Sequence, residues 1–142
     1  MAGTFIEQVR RNSVALISLA VAIASLSYNT WRNEATEYNR NQRVAAFEIL
    51  LKLGDLQQTL FHVHYDKDFD KGNPRIGWAY VLTINDLAQI LPDAPRAAAG
   101  ALLETWRENW EDLSDSEESL KHVMQALDAA RDRVLALLRS LD

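Results

Sequence analysis

Residues 13–31, SVALISLAVAIASLSYNTW, lie within the longest stretch of this chain without a formal charge, and they constrain everything around them. A helix rises about 1.5 Å per residue, so crossing a hydrocarbon layer of about 30 Å takes about 20 residues. The run reaches that length once its polar end is included, where Ser, Asn and Thr side chains can bond back to the helix or sit at headgroup depth. Arg10 and Arg11 stand before it, and Tyr28, Trp31 and Arg32 stand at its end. Amphipathic rings and cations favour the membrane–water boundary. The expected reading is a transmembrane anchor over residues 13–31, a short leader over 1–12, and interfacial contacts to the lipid bilayer from Arg10, Arg11, Tyr28, Trp31 and Arg32.

Two rivals compete with the anchor. Arg10 and Arg11 followed by an apolar segment and Ala22-Ile23-Ala24 also match a cleavable secretory signal ending at residue 24. Against this, the helical pattern runs on through Tyr28, Trp31 and Ala35 with no turn residue. The other rival is a helix buried in the core of the protein. Small residues at Ser18, Ala22 and Ser25 would also let two such helices approach closely. Orientation is nearly balanced, with Arg10 and Arg11 before the span and Arg32, Arg40 and Arg43 after it. The basic pair lies directly against the apolar run, which favours a cytoplasmic leader in the cell (inner) membrane and a periplasmic or otherwise extracytoplasmic C-terminal domain.

The remainder reads as all-α. Only 5 Gly and 3 Pro occur in 142 residues, and 48% of the chain is hydrophobic against 25% charged. No Pro or Gly interrupts residues 4–53, so one helix is expected to leave the membrane and continue to about residue 64. Residues 32–44 form a polar juxtamembrane stalk. Through it Trp31, at the end of the span, then Ala35 and Tyr38 step by four and three into Gln42, Ala45 and Ile49, a narrow stripe suited to contact with another helix. From residue 45 the helix is strongly apolar: Ala45, Ile49, Leu53, Leu56, Leu60 and Val63 share a face that Phe47, Leu50, Leu51 and Phe61 widen.

The break is expected over residues 65–74, YDKDFDKGNP, where Gly72, Asn73 and Pro74 are strong turn residues. A second helix is expected over 75–91, with a strand as the alternative because Val81, Thr83 and Ile84 are β-branched. A third is expected over 95–113 behind Asp93 and Pro95, and a fourth from Ser114 or Ser116 to the end, with Glu117 and Glu118 in its first turn. Four amphipathic helices with short links predict an antiparallel four-helix bundle over residues 45–142, on the transmembrane helix.

The chemistry-bearing residues are sparse. No cysteine is present, which excludes disulfides, thiolate catalysis and zinc–thiolate sites. A net charge of −5 argues against a nucleic-acid partner, which selects a basic surface. Asp66, Asp68 and Asp70 alternate like the start of a calcium loop, but the sixth position is Lys71 and the twelfth Gly77. His62 and His64 are two apart, whereas helical zinc ligands sit three or four apart. Trp106 and Trp110 at i,i+4 read as core. No nucleophile–base pair, phosphate loop or dinucleotide fingerprint is present, and no cofactor is implied.

The layout of an anchor followed by a helical bundle resembles bacterial sensor input domains. It departs from them in having no second span and no output domain within these residues. The resulting expectation is a single-pass, membrane-anchored, non-enzymatic interaction module, partnered by itself or another membrane protein. The alternative is a sensor-like bundle holding a ligand or metal near His62, His64, Trp78 and Trp106.

Overall fold

A computed structural model describes residues 12–141; Arg10 and Arg11 lie outside the described residues. Of the described residues 83% are helical and none is in a strand. The helices are α1 (Ser13–His64), α2 (Pro74–Ala88), α3 (Asp93–Asn109) and α4 (Glu117–Ser140). The chain divides into two compact units between Asn39 and Arg40.

In the unit ending at Asn39, every side chain from Val14 onward is exposed. Among the described residues α1 is the one helix long and apolar enough to cross a membrane, and none of its apolar window is covered by the protein's own packing. The core-helix rival therefore has no support in the fold: among the described residues none shields these side chains. Thr30 Oγ1 donates to Leu26 O (3.0 Å) and Thr36 Oγ1 to Arg32 O (2.9 Å). Both hydroxyls are thus satisfied within the helix, which lowers the cost of polar groups at the end of the run.

In the unit beginning at Arg40, the inner face of α1 carries Ala45, Ala46, Ile49, Leu53, Leu56, Leu60 and Val63, all buried. It joins Val81 and Ile84 of α2, Leu102 and Trp106 of α3, and Val123, Leu127 and Val134 of α4 in one core. Helices α2 and α3 pack together, as do α3 and α4. Gln57 Oε1 accepts from Arg131 Nη2 (2.7 Å), and Arg43 donates to the Leu141 carbonyl, so α1 is joined to the C-terminal segment at two points.

The face of α1 is narrower than its composition implies. Phe47 is 57% exposed, Leu51 63% and Phe61 42%; only Leu50 of the four widening residues packs against the core. They lie opposite Ile49 and Leu56, and the three short helices cover one side of α1 only.

The boundaries follow local chemistry. The Asn73 side chain accepts from Arg75 N (3.0 Å) and Pro74 opens α2, where its missing N–H costs nothing. The β-branched residues Val81 and Ile84 go into the helical core, so the strand alternative fails. Helix α2 ends at Ala88 rather than 91, because Leu91 precedes Pro92 and is pushed away from helical ψ. Asp93 is the first residue of α3, preceded by Pro92 as cap. Helix α3 stops at Asn109, short of 113, and turns follow. Ser116, not Ser114, caps α4 by accepting from Ser119 N (3.1 Å). Gly72 is required by close approach: a Cβ there would lie 2.7 Å from Val63 Cα and 2.8 Å from Asp68 O, both backbone.

Candidate functional site

Two surfaces carry functional potential, one in each unit. The first is the outer surface of residues 13–38 of α1. Tyr28 and Trp31, one turn apart, bring their ring centroids to 6.2 Å at 44°, both rings exposed. Arg32 follows directly and is also exposed. An apolar helix surface closed by two rings and a guanidinium has the chemical order of a lipid boundary. Ala35 and Tyr38, the rest of the expected stripe, are exposed as well. The same spacing carried forward reaches Gln42, Ala45 and Ile49, which are buried in the domain. That end of the stripe is occupied by the chain's own helices. Gln42 sits there 2% exposed, its Nε2 without a hydrogen-bond partner.

The second surface is a pocket of about 270 Å³ lined by Asp55, Gln58, Thr59 and His62 of α1, Lys71 of the loop, and Ile76 and Tyr80 of α2. Its charged side chains are already paired. Lys52 Nζ donates to Asp55 Oδ2 (2.9 Å) and lies 5.3 Å from the Tyr80 ring centroid. The hydrogen bond to Asp55, then the Asp55 charge, raise the Lys52 ammonium above its ordinary value. His62 Nδ1 meets Asp66 Oδ2 at 2.8 Å, and Lys71 Nζ lies 3.7 Å from Asp68 Oδ2. Thr59 Oγ1 donates to the Asp55 carbonyl of its own helix (3.0 Å). The pocket offers a mixed polar lining with its charges internally balanced.

The two histidines His62 and His64 are used separately. His62 turns to Asp66, while the His64 Nδ1–H donates to Leu113 O at 2.8 Å and its ring meets Tyr65 edge-on at 4.9 Å. Among the described residues no three His, Asp or Glu side chains come together at metal-binding distance. Trp106 is fully buried, with Trp78 edge-on at 6.5 Å; Trp78 also meets Trp110 at 6.2 Å. His64 and the three tryptophans do not line the pocket. The pocket residues that sequence reasoning missed, Asp55, Thr59 and Tyr80, carried no signal: each reads as an ordinary helical position until α1 and α2 are brought together.

The acidic run organises its own loop. Asp68 Oδ1 accepts from the backbone N–H of Lys71 and of Asp70, both at 3.1 Å. The Lys71 N–H chiefly holds the Asp68 carboxyl below the ordinary carboxylate range, with the Asp70 N–H and the Lys71 ammonium acting in the same direction and partial burial opposing them. Its folded value is depressed, so the contribution to loop stability is full above the unfolded value of about 3.9 and is lost as pH falls through the folded value. The backbone amide resonances of Asp70 and Lys71 are expected to shift together below about pH 4. In Asp68→Asn, which keeps an acceptor oxygen, that shared acid transition should vanish; two amides titrating unchanged in this variant would show that another group controls the loop.

No protein-family model, curated protein or solved structure matches this chain.

Proposed function

We propose that the protein is a single-pass membrane-anchored helical module that acts by protein–protein contact rather than catalysis, with residues 45–142 as an antiparallel four-helix bundle. The observation that carries the reading is the uncovered apolar run of α1 ending in Tyr28, Trp31 and Arg32. An apolar helix surface of that length exposed to water costs roughly 25 cal/mol per Å², and lipid removes the cost. The antiparallel arrangement draws support from the order of ties between α1 and the end of the chain. Arg43 reaches Leu141, Gln57 reaches Arg131, and His64 reaches Leu113 ahead of α4. Advancing along α1 moves backward along the C-terminal segment.

The reading places the leader on the cytoplasmic side of the cell membrane and the bundle outside it, on the strength of Arg10 and Arg11 beside the span. Intact mass, carbonate extraction and protease protection of a C-terminal tag in sealed spheroplasts test it together. A full-length, carbonate-resistant protein whose tag is digested from outside is the expected result. A protected tag reverses the orientation, and loss of the first 24 residues removes the anchor.

A second reading rests on the pocket beside His62. There the bundle would hold a small polar molecule as a sensor domain does. Binding to the folded state must raise apparent stability. A thermal-shift screen of small polar ligands and divalent metals in which nothing raises the midpoint discards this reading.

A further inference from the structure

The outward side of α1 in the second unit holds an unbroken heptad pattern that the fold leaves uncovered. Val44, Phe47, Leu51 and Gly54 recur at spacings of three and four, and Gln58, Phe61 and Tyr65 continue the same alternation. No position in this row carries a formal charge, and all seven are exposed. The row lies on the side of the helix away from Ile49, Leu53, Leu56 and Leu60, so one helix carries two seams: the inner is filled by the chain's own core, and the outer is free. We propose that the outer seam is the contact between two copies of this chain, paired in parallel as a two-stranded coiled coil. The proposal rests on the anchored reading above, because a single span gives every copy in one membrane the same direction.

Three features favour a second copy over a different partner. In a parallel pair related by a twofold axis each residue of the row faces itself. Gln58, the one polar side chain in the row apart from the Tyr65 hydroxyl, then meets a second amide with which it can exchange hydrogen bonds, as polar residues at such positions do in parallel coiled coils. The flanking positions Leu50, Asp55, Gln57 and His62 oppose no like charges across the pair, and each is satisfied within its own copy: Leu50 packs on the core, Gln57 accepts from Arg131, Asp55 accepts from Lys52 and His62 meets Asp66. Area is the third feature. Aromatic side chains carry about 150–250 Å² each, so the exposed parts of this row amount to on the order of 500 Å² per copy. That is below the roughly 800 Å² per partner of a stable interface between freely diffusing proteins. It suffices for copies already confined and co-oriented by their anchors, where pairing is close to intramolecular. Gly54 aids the approach: space around its Cβ position is open.

The chain has no cysteine, so single cysteines report without interference. Phe47→Cys and Leu51→Cys are introduced into the full-length protein and oxidised in native membranes. Glu108→Cys on α3 and Asp132→Cys on α4, both at exposed positions away from the row, serve as controls. Covalent dimer is expected several-fold more strongly at 47 and 51 than at 108 and 132. Adding Leu51→Glu to Phe47→Cys should abolish it, with the circular dichroism spectrum unchanged. Protein that is carbonate-resistant but links equally or not at all at the four positions overturns the seam and leaves the anchor standing. Adducts at 47 and 51 to a different protein overturn the second copy as occupant. Protein recovered outside the membrane sinks the anchored reading; the same position-dependent dimer in that fraction would still support the seam, and its absence there would overturn it.

Discussion

Trp106→Ala is expected to lower the unfolding midpoint of the protein by more than about 10 °C, the largest loss any single substitution in the domain should cause. The indole is fully buried, packed between the core leucines and the edge of Trp78. Truncating a buried tryptophan costs about 3–5 kcal/mol, part transfer and part cavity, against a total stability of about 5–15 kcal/mol for a domain of this size. Its environment sharpens the argument. Gly77 of α2 lies so close that a Cβ there would overlap Cη2 and Cζ2 of the indole. Gly77→Ala, which in an open helix would stabilise by about 1 kcal/mol, should here destabilise by about 1–3 kcal/mol. The two effects share one site, so the double variant Gly77→Ala/Trp106→Ala should be less damaged than the singles add up to, because the methyl group enters the cavity. Thermal unfolding of the four proteins decides it: strict additivity would mean that the glycine and the tryptophan are not packed on each other. Trp106→Phe should fall between wild type and Trp106→Ala. It loses volume but also removes an indole N–H that is buried with no hydrogen-bond partner.

The second large effect belongs to the proposed anchor. Ala22→Arg places a cation near the middle of residues 13–31, where insertion costs about 2.5–3.5 kcal/mol. The run is short and rich in Ala and Ser, each contributing little toward insertion, so it has scant reserve to absorb that cost. The variant is expected to leave the carbonate-resistant fraction almost entirely, while Ala22→Leu is retained at least as well as wild type. Ala22 is exposed, and the Trp106 environment should be unchanged in both. An Ala22→Arg protein that stays in the membrane pellet would mean that something other than this run holds the chain there.

Which parts of the structure are readable in the residues follows from how local each signal is. The end of α1 at His64 falls at the start of the polar run over residues 65–74, whose turn residues Gly72, Asn73 and Pro74 stand at its far end, and the break between α1 and α2 occupies that run. The start of α4 is as local, although choosing Ser116 over Ser114 needs the backbone. The C-terminal ends of α2 and α3 fall about one turn short of the apolar pattern, because Leu91 and Leu113 are buried yet not helical. An apolar residue looks the same in the sequence whether its helix or the following turn delivers it to the core. The width of the α1 core face is the larger discrepancy. Phe47, Leu51 and Phe61 are apolar and lie at helical spacing, so composition alone assigns them inward. Only the number of neighbours around α1 shows that they face out, and that number is a tertiary property. The pocket beside His62 is invisible in the sequence for the same reason. His62 and Lys71 stand out for their chemistry, but Asp55 and Tyr80 meet only when separate helices do.

The placement of the tryptophans has a spectroscopic consequence. Trp31 is exposed beside Tyr28 in the first unit, whereas Trp106 is sealed in the second with an unbonded N–H. The four indoles therefore report on two different events. If the proposed anchoring holds, emission from Trp31 responds to quenchers carried at headgroup depth and ignores denaturant that has not reached the bilayer. Trp106 should emit at short wavelength until the helices separate, whatever lipid is present. With Trp78 and Trp110 changed to phenylalanine, one cuvette would follow insertion and unfolding as separate signals, with no label attached.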